Sequence, residues 1–265
     1  MKIVFHHVPR TAGTSLRWVI EANYPAKERI ETYEPERAAT NSDWAVEYYA
    51  KLSWLQRRRA RIFLGHTAGG FIRAVKPPVM GITVLRHSVD HVLSVYHHAR
   101  THPDREDKWP LANLIQKEEL SLEDIYGRLA GEIEQREQEL WPLRQLFNLQ
   151  LRSLMVCCPG DRQIPILTGG EGAAGDESLD LLVNTLEQHF LVGFQACYAQ
   201  SVRMFANEFG WHAVPDVHAN PTSARPKADD ISSELRQLIE HHNQLDIALY
   251  NRMWEKFGER NLAAA

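Results

Sequence analysis

A single α/β domain with a central parallel sheet is predicted for this chain by three features of its sequence. Short apolar runs of strand length alternate with segments whose apolar residues recur at helical spacing. Two of these runs pass through a tight loop straight into a helix, the local order that parallel sheets require. No internal repeat or low-complexity linker divides the 265 residues, of which 44% are hydrophobic and 24% charged. That balance excludes disorder as the main state and suffices for one large core.

Each element has its own signal. Ile3 to Val8 reads as a buried strand broken by Pro9. Beyond Gly13, the residues Leu16, Trp18, Val19, Ile20 and Ala22 describe a helix that Thr14 or Ser15 would cap. Trp44, Tyr48, Leu52 and Leu55 recur at helical spacing ahead of Arg61 to Leu64, a second strand closed by Gly65 and His66. Met80 to Leu85 is the third strand, and after Arg86 the residues Val89, Val92, Leu93 and Tyr96 mark a helix capped by Ser88. Ser121 to Met155 carries a helical pattern throughout, with Leu143, Leu146, Phe147, Leu151 and Leu154 as its apolar stripe. Cys157 to Gly175 is rich in turn formers, Leu179 to His189 is helical, and Phe190 to Phe194 is a fourth strand. Val202 to Phe209 is a helix stopped by Gly210, Pro215 to Pro226 a loop, and Ile231 the start of a final helix. The helical stretch 105–178 reads as an insertion or lid within one domain spanning 1–265.

Composition narrows the function classes. Thirty basic against 34 acidic residues give a net charge of -4, which argues against a general nucleic-acid or anionic-membrane partner and leaves room for a local basic pocket. No stretch reaches the ~20 apolar residues of a membrane span, and Met1 to His7 is too short and polar for a signal peptide, so no membrane anchor is expected. Three cysteines, two of them adjacent (Cys157 and Cys158, with Cys197), suit a reducing, cytoplasmic setting.

The first loop carries the chemistry. Where a strand turns into a helix, loop amides and the free N–H groups of the first helical turn converge at the positive end of the helix dipole, a place that stabilises an anion. Here Gly13 allows close backbone approach, Thr11, Thr14 and Ser15 offer hydroxyls, and Arg10 offers a planar cation matched to phosphate or sulfate oxygens. A capped helix with Arg10 on the surface accounts for the same residues without a ligand. The nucleotide-triphosphate P-loop is disfavoured, because Gly13 is followed by Thr14 instead of Lys, and no strand ends in a Walker-B-like acid for magnesium. His87 with His91, and His98 with His102, are four apart but lack the glutamate of a zinc helix, so no metal is expected. Gln56 to Arg61 contains four arginines, a solvated helix end that would also attract an acidic acceptor.

The stretch His7-Val8-Pro9-Arg10-Thr11-Ala12-Gly13-Thr14-Ser15-Leu16 resembles the 5′-phosphosulfate loop of sulfotransferases, in particular the heparan sulfate 2-O-sulfotransferase-like branch and its bacterial relatives. A second signature follows in order: Thr83-Val84-Leu85-Arg86 ends a strand and Ser94 lies in the next helix. Phe190 to Phe194 with Ser201, Asn220 to Pro226, and Asn243 to Tyr250 extend the likeness over nearly the whole chain. The resemblance implies a P-loop-like sulfotransferase fold without an anchor or stem, since the first strand starts at Ile3. It also implies transfer of a sulfuryl group from 3′-phosphoadenosine 5′-phosphosulfate (PAPS) to a hydroxyl, leaving adenosine 3′,5′-bisphosphate (PAP). The acceptor class implied is a saccharide or glycoconjugate. By the same resemblance Arg10, Thr11, Ala12, Gly13, Thr14 and Ser15 bind the 5′-phosphosulfate, Arg86 and Ser94 hold the 3′-phosphate, and Arg225 lies in a C-terminal cofactor loop. The family commonly has Lys where this chain has Arg10, and other branches use Arg there.

His66, at the carboxyl end of a strand and titrating near working pH, is the candidate general base; the pair Gly65-His66 also resembles the branch's catalytic-histidine segment. Arg10 is then catalytic as well as binding, by stabilising charge on the leaving phosphate. His6 and His7 have a weaker claim to the role of base, with packing or orienting as the equal alternative for a strand histidine beside the loop, and Asn148, Gln150 and Arg152 match a polar triplet seen in relatives, near the acceptor cleft. Two other classes stay open at this point: a kinase of related P-loop ancestry, and a degenerate module that binds a nucleotide without chemistry.

Overall fold

The computed structural model describes residues 1–33, 44–101, 109–133, 136–159, 173–214 and 227–264. The strands β1 (Lys2–His6), β2 (Arg29–Thr32), β3 (Ile62–Gly65), β4 (Val79–Leu85) and β5 (Phe190–Phe194) form one sheet in the order β2-β3-β1-β4-β5. Every neighbouring pair is parallel. The α/β class with a parallel sheet flanked by helices is therefore as predicted.

β1 runs through a loop into α1 (Gly13–Asn23), which leads to β2. The chain returns through α2 (Trp44–Lys51) and α3 (Trp54–Arg59) to β3, then through the short α4 (Phe71–Ala74) to β4. α5 (Ser88–Thr101) follows, then α6 (Pro110–Lys117), α7 (Leu122–Gly127), α8 (Glu137–Leu140) and α9 (Leu149–Leu154). α10 (Ala173–His189) leads to β5, and α11 (Tyr198–Phe209), α12 (Ser233–His242) and α13 (Gln244–Leu262) come after it.

Successive strand residues point to opposite faces, and both faces are buried, which is why these strands read as continuous apolar runs. On one face Val4, Phe63, Leu85 and Val192 pack with Phe71, Leu182 and Leu249 of α4, α10 and α13. On the other, Ile3, Phe5, Leu64 and Leu191 pack with Leu16 of α1 and Phe205 of α11. A third cluster holds no strand residue: Val92, Leu111, Ile125 and Phe147 pack with Leu235 and Ile239 of α12. The middle helices and a late helix thus share one core. Ser201 fastens α11 to β5 and α13, accepting the Phe194 N–H at 2.8 Å and lying 2.6 Å from Asn261 Oδ1, while the Asn261 amide donates to Val192 O.

The structure departs from the sequence reading in several places. β2 went unpredicted because an edge strand needs no apolar run; only Thr32 of its four residues is buried. The stretch from Ser121 to Met155 is broken, with Pro142 opening a 3₁₀ turn and Asn148 at φ 46° ending any continuous helix. The final helix is two, α12 and α13, parted at Asn243. Ser88 starts α5, but its hydroxyl is buried without a hydrogen-bond partner. Gly210 does stop α11, at φ 65°. The expected loop from Pro215 to Pro226, with Arg225, lies outside the described residues. Cys157, Cys158 and Cys197 are free and buried. Among the described residues no helix is long and apolar enough to cross a membrane.

Gly65 joins β3 to β2 with little space to spare: its φ is +144°, and a Cβ there would sit 2.2 Å from Thr32 O. Gly65→Ala is expected to cost about 3 kcal/mol, because backbone strain and overlap add. The check is the urea-unfolding midpoint, which should fall; an unchanged midpoint would mean that β2 yields freely.

Candidate functional site

In a parallel sheet, ligands bind beyond the carboxyl ends of the strands, where neighbouring connections diverge to opposite sides. That point here lies between β1 and β4. Each strand around it delivers one polar residue immediately past its end: His7 after β1, Tyr33 after β2, His66 after β3 and Arg86 after β4.

The loop between β1 and α1 is fixed by donors that claim its carbonyls. Thr11 Oγ1 donates to Val8 O at 3.0 Å, His91 Nε2 to Pro9 O at 2.8 Å, and Arg86 Nη1 to Arg10 O at 3.2 Å. Arg10 and Ala12 take left-handed conformations, φ 66° and 72°. The cap of α1 is Ala12, so neither Thr14 nor Ser15 caps it as expected: Thr14 is exposed and Ser15 is buried inside the first turn. No side chain caps this helix start, and no acidic residue lies in its first turn. The positive end of its dipole is thus met by neither a side-chain cap nor a carboxylate. Gly13 is required for a close approach, since a Cβ would fall 1.9 Å from Cδ2 of the His7 ring.

The two sequence signatures meet at this loop. Arg10 Nε lies 3.4 Å from Ser94 Oγ of α5, and the Arg86 guanidinium reaches the Arg10 carbonyl. Two guanidinium groups and the helix start thus gather positive potential at one loop of a chain whose net charge is -4. Thr11 uses its hydroxyl within the loop, so it orders the turn.

His66 Nδ1 lies 2.7 Å from His7 O. A carbonyl only accepts, so Nδ1 carries the proton and the neutral ring keeps its lone pair at Nε2. The ring is braced by His7, centroids 4.6 Å apart, and by the edge of Tyr33 at 5.1 Å. Burial holds the His66 pKa below its ordinary value and the nearby Arg17 adds to this, against the opposing bond to His7 O. A neutral ring with an oriented tautomer can accept a proton.

His6, His7 and His91 are structural. His6 is fully buried, accepts the Gly69 N–H at Nδ1 and pairs through Nε2 with Ser153 Oγ at 2.9 Å; desolvation pushes its pKa to about 3. His7 packs on Gly13, and burial holds it well below the ordinary range. His91 is pushed to about 4, again mainly by desolvation. Its ring is spent on Pro9 O while His87 meets the Tyr250 ring, so that pair does not converge; His102 lies outside the described residues. Among the described residues no group of three His, Cys, Asp or Glu side chains could hold a metal ion.

The arginine run belongs to the far end of the sheet. Arg57 to Arg59 close α3, and Arg61 leads into the amino end of β3, one strand length (roughly 13 Å) from His66. Asn148 and Gln150 prove to be framework residues. Gln150 bonds both main-chain groups of Arg86, with Oε1 accepting its N–H at 2.9 Å and Nε2 donating to its C=O at 2.8 Å. Asp246, fully buried on α13, accepts from the Gln150 and Leu151 N–H groups at 3.1 and 2.8 Å. Asn148 Oδ1 accepts the Asp246 N–H, and Asn243 Oδ1 accepts the Asn148 N–H. Arg152 donates to the carbonyls of Arg144 and Phe147. Sequence reasoning missed Asp246, whose one signal was a carboxylate between Leu245 and Leu249 on the buried face of a helix.

No protein-family model matches this chain, and no curated protein sequence matches it.

The buried rings make stability acid-sensitive. His6, His7 and His91 stay neutral in the fold while the unfolded chain protonates them below about 6.5, so stability is complete above that pH and is lost as pH falls toward 4. Asp246 opposes them: burial raises its pKa to about 6, so between about 4 and 6 the fold keeps a proton that the unfolded chain has lost. From these four groups, three protons taken up against one released contribute a drop in unfolding free energy of about 3 kcal/mol per pH unit near pH 5, and His66, also held low by burial, adds in the same direction. His91→Gln, which keeps a donor for Pro9 O, is expected to remove about 1.4 kcal/mol per unit from that slope in urea titrations. An unaltered slope would contradict the assignment.

Proposed function

We propose that the chain is a sulfotransferase that moves the sulfuryl group of PAPS to a hydroxyl of a saccharide or glycoconjugate, and that it works in a reducing compartment such as the cytoplasm. The observation that carries this reading is the junction of Arg10, Ser94 and Arg86, which brings two anion-seeking segments from distant parts of the chain to one helix start. The fit to a polyanion rests on charge: two guanidinium groups, uncapped amides, and no carboxylate in the first turn of α1.

Arg10 and the α1 amides would hold the 5′-phosphosulfate, and Arg86 with Ser94 the 3′-phosphate. The bound donor supplies an activated sulfuryl group on a phosphate leaving group. The chain's part is then limited. His66 Nε2 takes the acceptor's hydroxyl proton, with its Nδ1–H held by His7 O so that the accepting nitrogen keeps one direction. Arg10 stays cationic at every working pH, so it balances charge on the departing phosphate and gives up no proton. Gly13 and the His7 ring fix the distance between the loop and the base.

Calorimetry with PAP against ATP tests the nucleotide. PAP should bind in preference, and Arg86→Ala should weaken it by about 1.5–3 kcal/mol, tenfold or more. Preference for ATP would overturn the reading in favour of a kinase.

The base is tested by transfer of labelled sulfate from PAPS to a saccharide panel. His66→Ala should lower turnover about 10²–10⁴-fold with PAP affinity nearly intact. Because the base must be neutral, wild-type turnover should be level near pH 7 and fall only at pH values below 6.5. Full turnover by His66→Ala would assign the proton to another group, and no transfer to any member of the panel, with PAP bound, would favour the degenerate module.

A further inference from the structure

We infer that Gln150 is the positioning residue that aims Arg86 at the anion loop, so that it sets the preference for a nucleotide bearing a 3′-phosphate. This rests on the reading of Arg86 as the ligand of that phosphate.

Arg86 is the first residue past β4, where its own N–H and C=O have left the sheet ladder. Gln150 supplies both missing partners with one side-chain amide. The amide can sit in one sense only, because a main-chain N–H cannot accept and a carbonyl cannot donate. Two bonds, one to each of the peptide groups that flank the Arg86 Cα, fix the direction of the Arg86 Cα–Cβ bond, and the guanidinium then reaches Arg10 O. Gln150 is 1% exposed, so its effect on a ligand passes through Arg86.

Gln150 is itself immobilised. Asp246 accepts its N–H together with that of Leu151, Asn148 and Asn243 close the chain of bonds, and the Asn243 amide ends it on Tyr126 Oη at 3.2 Å. Asn148, Gln150, Asn243 and Asp246 are all buried, so a slip at any of them would strand a polar group away from water. A framework glutamine could end on any carbonyl. This one closes both bonds on the residue whose cation faces the loop.

Two variants test the inference. Gln150→Glu keeps the size and the acceptor for Arg86 N–H, but sets a carboxylate oxygen against Arg86 C=O; protonation of the buried carboxyl restores a donor. Near pH 8 its affinity for PAP should be about tenfold below wild type, while adenosine 5′-monophosphate, which meets Arg86 only through the Arg10 carbonyl, should lose several-fold less. Near pH 6 the deficit relative to wild type should shrink. Gln150→Met, which removes both bonds, should show the same selective loss at both pH values. Equal losses for both ligands, or no loss, would overturn the inference, as would failure of both variants to fold, since Gln150 would then serve the framework alone. A wild-type protein that does not distinguish the two nucleotides would refute the functional reading itself and this inference with it.

Discussion

The loop between β1 and α1 depends on where three carbonyl oxygens are sent. A turn that presents amides to an anion must dispose of its carbonyls elsewhere, because an oxygen facing the ligand would repel it. Here the carbonyls of Val8, Pro9 and Arg10 are taken in turn by a hydroxyl of the loop, an imidazole of α5 and a guanidinium at the end of β4. Two of the three donors come from the segment that begins where β4 ends. The pairing of β1 with β4 in the sheet is therefore a precondition of the loop's shape, and α5 serves it twice, through His91 and through Ser94.

The histidines show how polarity is brought into this region without charge. A buried imidazolium would compete with the arginines for the same anion and would carry a desolvation cost, whereas a neutral ring supplies a directional donor or acceptor cheaply. His6, His7 and His91 are held neutral mainly by burial. The cationic character of the loop is thereby left to Arg10 and Arg86, whose charge does not vary with pH in the working range.

What was legible in the sequence follows from how local each signal was. β1, β3, β4 and β5 announced themselves as apolar runs because both faces of the sheet are covered, and the turn at Gly13 and the stop at Gly210 were visible as single residues. β2 was hidden because Arg29, Ile30 and Glu31 are only partly buried or exposed at an edge. The break at Asn243 was hidden because its cause is remote: the Asn243 side chain bonds Asn148, 95 residues away. In the candidate site, Arg10, Arg86, Ser94 and His66 were each named from sequence, and the structure brings the first three into contact. Asn148, Gln150 and Arg152 also stood out in the sequence as a polar triplet, but their scaffolding role was not legible, since nothing local shows that a glutamine clamps an arginine 64 residues away.

The same short edge strand that escaped notice has a bearing on how the molecule lives at high concentration. An unpaired strand edge invites another chain to add to the sheet. β2 is only four residues long and carries charge, with Glu31 in ion pairs with Arg17 and Arg29, two features that discourage strand addition. At the opposite margin β5 is buried along its whole length. The parallel sheet is thus guarded at both borders against templated growth, by charge on one side and by cover on the other.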